Sequence, residues 1–276
     1  MLPQFVRRFS YSPHVRRVVR ALGLQKAAQN LYYRFAQQGN FIQISAGGVT
    51  GRFYSASPRD LRIVEACSQE RALTRLLSEV GHDDVVYDIG AHHGLYSVLL
   101  AQKVRRVVAF EPEQECFARL EQNVHINGRA NISMYCQALG NREEQKVLYL
   151  GDGVGAINSG QLGANWIAGA QQTVSVIPGD VFRQMQSLPA PTVLKIDVEG
   201  YEGFVLEGFQ ETLNTSECRM VCCEIHPALL PDHMTKESVL EIFKNAGFSE
   251  VDLLPHKTEF HAFAYKMPRR TVTDTI

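Results

Sequence analysis

This sequence lacks the features that identify membrane-spanning, secreted or cysteine-rich metal-binding proteins. No apolar run approaches the roughly 18 residues needed to cross a bilayer, and the N-terminus has no compact apolar core followed by a cleavage site. The six cysteines include no C-x-x-C pair. We therefore expect no membrane span, no signal peptide and no cysteine-bound zinc, and reduced thiols in a cytoplasmic protein.

Acidic residues are absent from the first 59 positions, which carry nine basic residues, whereas the remainder carries 19 basic against 29 acidic residues. Apolar and basic residues recur there at near-helical spacing, and an alternating, glycine-rich stretch from Gly39 predicts a hairpin. We predict a basic helical and hairpin extension over residues 1–59 and a main domain over residues 60–276. An arginine-bearing helix also suits an anionic membrane surface, so peripheral membrane contact is an alternative.

The whole chain carries a net charge of -1, with 45% hydrophobic and 21% charged residues. That balance is typical of a globular protein. It offers no general attraction for nucleic acid, so no nucleic acid partner is expected.

Short apolar segments alternate with helical periodicity from residue 84 onward. Strands are predicted at Val85–Ile89, Val107–Phe110, Ile132–Gln137, Thr173–Ile177, Val193–Ile196 and Met220–Ile225, with a closing antiparallel pair at Val251–Leu254 and Glu259–Lys266. Helices are predicted at Asp60–Val80, Leu95–Lys103, Glu113–Ile126, Tyr201–Leu213 and Lys236–Ala246. The alternation predicts an α/β, Rossmann-like, mostly parallel sheet with helices on both faces. Residues 151–172, rich in Gly, Ala and Asn, predict a long loop that is either functional or mobile.

The segment VVYDIGAHHGLYS, residues 85–97, joins the first strand to a glycine loop. In a doubly wound sheet, ligands bind beyond the carboxyl ends of the strands. Gly90 allows a sharp turn, and Gly94 lets the next helix begin close to a ligand with its free N–H groups facing it. Asp88 can order the loop or bind a ligand amine. We predict cofactor contacts from Asp88, Gly90, Ala91, His92 and Gly94.

A second acid, Glu111, closes the segment VVAFEP, 23 residues after Asp88. A carboxylate near this offset can accept hydrogen bonds from both hydroxyls of a ribose. The spacing Asp88-x-Gly90-x-x-x-Gly94 differs from the G-x-G-x-x-G of nicotinamide enzymes, and a carboxylate there repels a pyrophosphate but attracts the amino group of S-adenosylmethionine. The pattern favours S-adenosylmethionine, with a dinucleotide-dependent oxidoreductase as the alternative. In a methyltransferase sheet of this kind the adenine lies against the turn after the third strand, so Ala138 is expected to contact it through its backbone, with Gln137 as a side-chain alternative.

Four segments together resemble the FkbM family of S-adenosylmethionine-dependent methyltransferases: DIGAHHGLYS, AFEP, LKIDVEGYE followed by VLEG, and CCEIHP. The most specific part is KIDVEG, Lys195–Gly200, and the resemblance runs from Val85 to Lys266. It implies a seven-stranded class I methyltransferase sheet and methylation of a hydroxyl oxygen, often on a sugar or a natural product. The family more often carries Asn at the position of His92.

Methyl transfer to an alcohol requires a group that takes or weakens the hydroxyl proton. Four candidate catalytic residues lie at or just after the ends of the predicted strands TVLKI and MVCCEI, and therefore at one edge of the sheet: Asp197, Glu199, Glu224 and His226. In one hypothesis His226 is the general base, oriented by Glu224 or Asp197. In another, Asp197, Glu224 and His226 hold Mg²⁺, which lowers the pKa of the substrate hydroxyl. The metal-free hypothesis is preferred, and a non-catalytic, membrane-docked binding module is a further alternative.

Overall fold

In the computed structural model, seven strands form one mixed sheet, which lies between two apolar cores. The structure describes residues 40–55, 70–150, 160–162, 171–256 and 258–266, together with positions 17 and 21. The strands are β1 (Phe41–Ala46), β2 (Val49–Tyr54), β3 (Val85–Ile89), β4 (Arg106–Phe110), β5 (Ile132–Tyr135), β6 (Ala138–Gly140), β7 (Glu144–Leu150), β8 (Gly160–Leu162), β9 (Gln171–Pro178), β10 (Val193–Ile196), β11 (Met220–Ile225), β12 (Glu250–His256) and β13 (Glu259–Tyr265). The helices are α1 (Arg71–Glu79), α2 (Leu95–Leu100), α3 (Gln114–Ile126), α4 (Gly179–Met185), α5 (Glu202–Glu207), α6 (Gln210–Asn214) and α7 (Lys236–Asn245).

The order across the large sheet is β12-β13-β11-β10-β3-β4-β5. Strands β3, β4, β5, β10 and β11 pair in parallel, and β13 runs antiparallel to both of its neighbours. Every residue of β3, β10 and β11 is buried, as expected of central strands covered on both faces. The predicted α/β class, with a seven-stranded and mostly parallel sheet, is confirmed.

Two apolar cores flank this sheet. One joins the hairpin β1–β2 to helices α1, α2 and α3, and buries Phe53 and Leu73 completely. The other packs helices α4 to α7 and a second sheet against the opposite face, and buries Phe209 and Phe243. Both faces of the central strands are therefore apolar, and their polar residues gather at the strand ends.

The predicted hairpin is present and is anchored on α3. The N–H of Tyr54 donates to Asn123 Oδ1 over 2.7 Å, and the N–H of Arg52 donates to Asn127 Oδ1 over 2.8 Å. The hairpin thus shares a core with the main sheet. The predicted basic helices of the extension lie outside the described residues, so the division at residue 59 and the membrane contact stay predictions. None of the described helices is long and apolar enough to span a membrane.

Several elements differ from the sequence-based expectation. Strand β5 ends at Tyr135, and residues 138–140 begin a second sheet of order β6-β9-β7-β8, which the sequence did not predict. The predicted helix over 201–213 is two helices, which end and begin at Gly208 and Phe209; Gly208 lies so close to β6 that a Cβ there would be 1.9 Å from the carbonyl oxygen of Gly140. Helix α4 was also not predicted, since it is short and begins at glycine, a poor helix former. Within the predicted loop 151–172, residues 160–162 form β8 and most of the rest lies outside the described residues.

Asp84 fixes the start of β3 to two other segments. Arg219 donates to its carboxylate from Nε (3.0 Å) and Nη2 (2.6 Å), and the Thr192 hydroxyl donates over 2.6 Å. Burial alone raises the pKa of Asp84, but these hydrogen bonds and one from the N–H of Gly81 hold it below its usual value. The ionised form of Asp84 is therefore the one that the fold stabilises.

We expect Asp84→Asn to lower the free energy of unfolding at neutral pH by about 1–3 kcal/mol, because Arg219 loses its charged partner. Since the pKa of Asp84 is lower in the folded state, this contribution is complete above the unfolded pKa and is lost as the pH falls through the folded pKa. Urea denaturation at neutral and acidic pH measures the difference. The exposed neighbour variant Asp83→Asn is the control and should leave the midpoint unchanged; a midpoint for Asp84→Asn equal to wild type at neutral pH contradicts the account.

Candidate active site

A cleft opens at the carboxyl ends of β3 and β4. Three of the predicted cofactor residues, Gly90, Glu111 and Ala138, line this cleft, and Val198 and Tyr201 line its β10 side. Ligands of doubly wound sheets bind at this position. The cleft is therefore the candidate cofactor site.

Gly90 brings the loop after β3 against the loop after β10. Its φ is +78°, and a Cβ at this position would lie 1.8 Å from the backbone oxygen of Asp197. Only glycine fits both constraints. Gly94 also has a φ of +78°, but a Cβ there would meet Leu120 Cδ1 at 2.4 Å, so the space at Gly94 serves the packing of α3.

His92 occupies a left-handed backbone conformation with a φ of +50°. Among residues with a side chain, Asn, Asp and His are the ones enriched there, which explains how His92 can stand where the family more often has Asn. The N–H of His92 donates to Glu111 Oε2 over 2.7 Å, and its ring stacks on His93 with centroids 4.0 Å apart. Ala91 is buried behind it, and its N–H donates to the carbonyl oxygen of Phe110.

Glu111 presents a buried carboxylate with a specific set of partners. Its Oε2 accepts the N–H of His92, and its Oε1 accepts the N–H of Glu113 over 2.9 Å. Each carboxylate oxygen can accept two hydrogen bonds, so one position on each remains for a pair of hydroxyls. Burial raises the pKa of Glu111 to about 7, although both backbone N–H groups oppose this shift.

Asp88 is completely buried beneath the loop rather than in the wall of the cleft. Lys195 Nζ lies 3.1 Å from Asp88 Oδ1, and the Ser97 hydroxyl donates to Oδ2 over 2.6 Å. Lys195 also donates to the carbonyl oxygen of Gly90 over 3.0 Å. Of the two tasks predicted for Asp88, these contacts correspond to ordering the loop.

A cluster of acids surrounds His226 at the ends of β10 and β11. His226 Nε2 lies 3.4 Å from Glu199 Oε2 and 4.0 Å from Asp197 Oδ1. Its Nδ1 lies 2.6 Å from Glu202 Oε1, which also accepts the N–H of Gly200 over 2.8 Å. The structure thus brings together three of the four predicted catalytic residues.

Glu202, not Glu224 or Asp197, is the carboxylate that orients His226, and this corrects the first hypothesis. Glu202 is completely buried at the first residue of α5. The sequence offered one signal, the second glutamate in DVEGYE, three residues after Glu199. The spacing of residues along a strand does not show this role, because Glu202 lies in the first turn of α5, and that turn packs against the end of β11 where His226 lies.

Burial and mutual repulsion set the charges of this cluster. Burial, with the neighbouring charge of Asp197, raises the pKa of Glu199 to about 8, and burial also raises the pKa of Asp197. Burial opposes the charged form of His226, but Glu202, Glu199 and Asp197 outweigh it and raise its pKa to about 10. A protonated His226 has no lone pair with which to accept a proton. The cluster therefore favours a carboxylate as the proton acceptor.

Glu224 belongs to a different cluster from His226. Its Oε1 lies 3.1 Å from His256 Nδ1, and its Oε2 lies 3.1 Å from His261 Nε2. Burial raises the pKa of Glu224, but His261, His226 and His256 together lower it to about 2. The Mg²⁺ set predicted from the sequence, Asp197, Glu224 and His226, is thus divided: the candidate metal-binding groups that contain these residues are Asp197–Glu199–His226 and Glu224–His256–His261.

Comparison with known sequences gives a consistent result. The profile of the family described as "Methyltransferase FkbM domain" matches residues 88–250. The chain is 28% identical over 191 residues to the hexuronic acid methyltransferase AglP of Haloferax volcanii, a match that covers 68% of this chain and 76% of that protein. It is 36% identical over 86 residues to the 23S rRNA (uracil(1939)-C(5))-methyltransferase RlmD of Aeromonas hydrophila, covering 30% of this chain and 20% of that protein.

Among solved structures, the chain is similar to the methyltransferase FkbM of Methylobacillus flagellatus KT, with a TM-score of 0.46 and 15% sequence identity. That similarity covers 75% of this chain and 59% of the solved one. An rRNA methylase from Streptococcus thermophilus also has a TM-score of 0.46, with 13% identity, covering 72% of this chain and 98% of that chain.

The pKa of Glu111 generates a prediction for ligand binding. Hydroxyl groups donate to the ionised carboxylate, so we expect affinity for S-adenosylhomocysteine to rise with pH up to about 7 and then level off. Below that pKa, affinity should fall toward about tenfold per pH unit. Calorimetry across this range measures it, with Glu111→Gln expected to bind weakly and without this dependence. The exposed variant Glu115→Gln should keep the wild-type profile; an unchanged profile in Glu111→Gln contradicts the assignment.

Proposed function

The chain belongs to the FkbM methyltransferase family, and from this premise we propose that it transfers a methyl group from S-adenosylmethionine to a hydroxyl oxygen of a glycosyl or other small hydroxylated acceptor. Membership makes the protein an S-adenosylmethionine-dependent methyltransferase, which removes the dinucleotide oxidoreductase and the non-catalytic module as alternatives. The glycosyl acceptor is supported by the relative named as a hexuronic acid methyltransferase.

The residues of the cleft fit the cofactor. Glu111 would hold the ribose hydroxyls with the two acceptor positions that its backbone partners leave open. Gly90 and Ala138 would border the nucleoside, and the N–H of His92 keeps the carboxylate of Glu111 in place. When bound, S-adenosylmethionine supplies an electrophilic methyl carbon, and the protein supplies alignment.

One observation carries the proposal: the acid cluster adjoins the cofactor cleft. The backbone of Asp197 contacts Gly90 of the cleft wall, and Val198, the next residue, lines the cleft itself. An acceptor hydroxyl held against the cluster would therefore lie beside the cofactor.

Within the cluster, Asp197 is the side chain most open to an acceptor. Its side chain is 29% exposed, against 14% for Glu199 and 4% for His226. We assign Asp197 the role of accepting the hydroxyl proton, because burial raises its pKa and so makes it a stronger base. His226, held by Glu202, places a positive charge beside Asp197 and Glu199.

We expect Asp197→Asn to lower kcat by about 100- to 10,000-fold, the usual contribution of a positioned general base. Affinity for S-adenosylhomocysteine should change little, because only the side chain is altered and Gly90 contacts the backbone of Asp197. Single-turnover kinetics and calorimetry separate the two effects. The exposed Asp83→Asn is the matched control, and near-wild-type turnover in Asp197→Asn contradicts the assigned role.

The acceptor class is tested with a labelled-methyl assay on purified protein. The panel contains hexuronic acids, neutral sugars, a polyhydroxylated natural product and an rRNA fragment. We expect label on sugar or natural-product hydroxyls, with an O-methyl group identified by NMR, and none on RNA. Label on RNA alone, or on carbon or nitrogen, contradicts the proposed acceptor while leaving the methyltransferase assignment in place.

A further inference from the structure

Three polar side chains meet where the last three strands of the large sheet end. Glu224 on β11 pairs directly with His261 on β13, so their side chains leave the same face of neighbouring strands. His256 is the last residue of β12, which pairs with β13 through the register His256↔Glu259 and Leu254↔His261. The antiparallel turn between β12 and β13 thus carries both histidines to Glu224.

The donor atoms of this cluster are already close to a metal-binding arrangement. Each carboxylate oxygen of Glu224 lies 3.1 Å from one imidazole nitrogen, and one donor atom from each of the three residues lies within 4.8 Å of the others. Zn–N and Zn–O bonds of about 2.0–2.2 Å place the donors of a tetrahedral site roughly 3.4 Å apart. Small side-chain movements would therefore admit an ion.

The three side chains of this cluster differ in how far they are exposed to solvent. Glu224 and His261 are buried, and the side chain of His256 is 28% exposed. The buried pair gives rigid ligands, and the open side at His256 gives an ion and a further ligand a way in. His261 faces Glu224 through Nε2, which is the nitrogen that would bind the ion; its Nδ1 lies on the other side of the ring and is buried without a hydrogen-bond partner among the described residues.

The other two groups of candidate ligands are weaker. In one, His226 is committed through Nδ1 to Glu202 and belongs to the proposed active site. In the other, Cys116 Sγ donates to Glu113 Oε2 and the group offers no carboxylate. Among the residues that the structure describes, only the Glu224 group combines two imidazoles and a carboxylate that converge from three paired strands.

We propose that Glu224, His256 and His261 form a binding site for a divalent transition-metal ion. Two imidazoles and one carboxylate suit Zn²⁺ or Fe²⁺, whereas Mg²⁺ prefers oxygen ligands alone. In this role Glu224 is a metal ligand rather than a catalytic residue. The site shares no ligand with the Asp197–Glu199–His226 group of the proposed methyl transfer, although Glu224 interacts electrostatically with His226.

The test uses the tag-free full-length protein, stripped with a chelator and titrated with Zn²⁺ by calorimetry. Bound metal is then counted by mass spectrometry, and Co²⁺ in place of Zn²⁺ reports ligand geometry by its visible absorption. The variants are His261→Gln and the more exposed His256→Gln, which protects the test against a folding defect. The controls are His226→Gln and His93→Gln for the other two groups, and His82→Gln, an exposed histidine.

We expect one equivalent of Zn²⁺ in the wild type and in all three controls. In His256→Gln and His261→Gln, affinity should fall by at least about 100-fold, because losing merely the partner that orients a metal ligand costs about 10- to 100-fold. Absence of binding in the wild type overturns the proposal and leaves an ion-paired His–Glu–His cluster. Equal binding in His256→Gln, His261→Gln and wild type, or a loss confined to His93→Gln or His226→Gln, overturns it as well.

Discussion

The ion pair between Lys195 and Asp88 is the contact on which the site depends. It joins neighbouring parallel strands at their carboxyl ends, and the same ammonium group reaches the carbonyl oxygen of Gly90 and lies 3.6 Å from Asp197 Oδ2. Burial opposes a charge on Lys195, but the carboxylates of Asp88 and Asp197 raise its pKa well above the usual range. One buried cation therefore fixes both loops that border the cleft, and removing either partner would leave an uncompensated charge in the core.

The polar residues at the carboxyl ends of the central strands have separate roles. Glu111 faces the cleft from β4, and the His226 cluster lies at the ends of β10 and β11. Gly90 and Asp197 form the boundary, where backbone approaches backbone without room for a Cβ. The cofactor and the acceptor are thereby held by different strands but brought to one point, as in-line displacement requires. Further along the sheet, Glu224 is held by two histidines, away from this boundary.

The sequence predicted the parts of the fold that depend on local pattern. Strands β3, β10 and β11 read as short apolar runs because both faces are buried, and the final antiparallel pair was visible from its spacing. The second sheet was not predicted, since three-residue strands such as β6 and β8 are too short to show a period. The close approach of Gly208 to Gly140 and the contact of Glu202 with His226 both join segments that are distant along the chain. The grouping of Glu224 with His261 depends on strand register, which the composition of the strands does not encode.

The central claim is that the cleft beside Gly90 binds the nucleoside of the cofactor and opens onto Asp197. A crystal structure of the complex with S-adenosylhomocysteine tests this most directly. We expect both ribose hydroxyls within hydrogen-bond distance of the carboxylate of Glu111, the adenine beside Ala138, and the sulfur directed toward the side chain of Asp197. A nucleoside bound elsewhere, or bound with its ribose away from Glu111, would contradict the account.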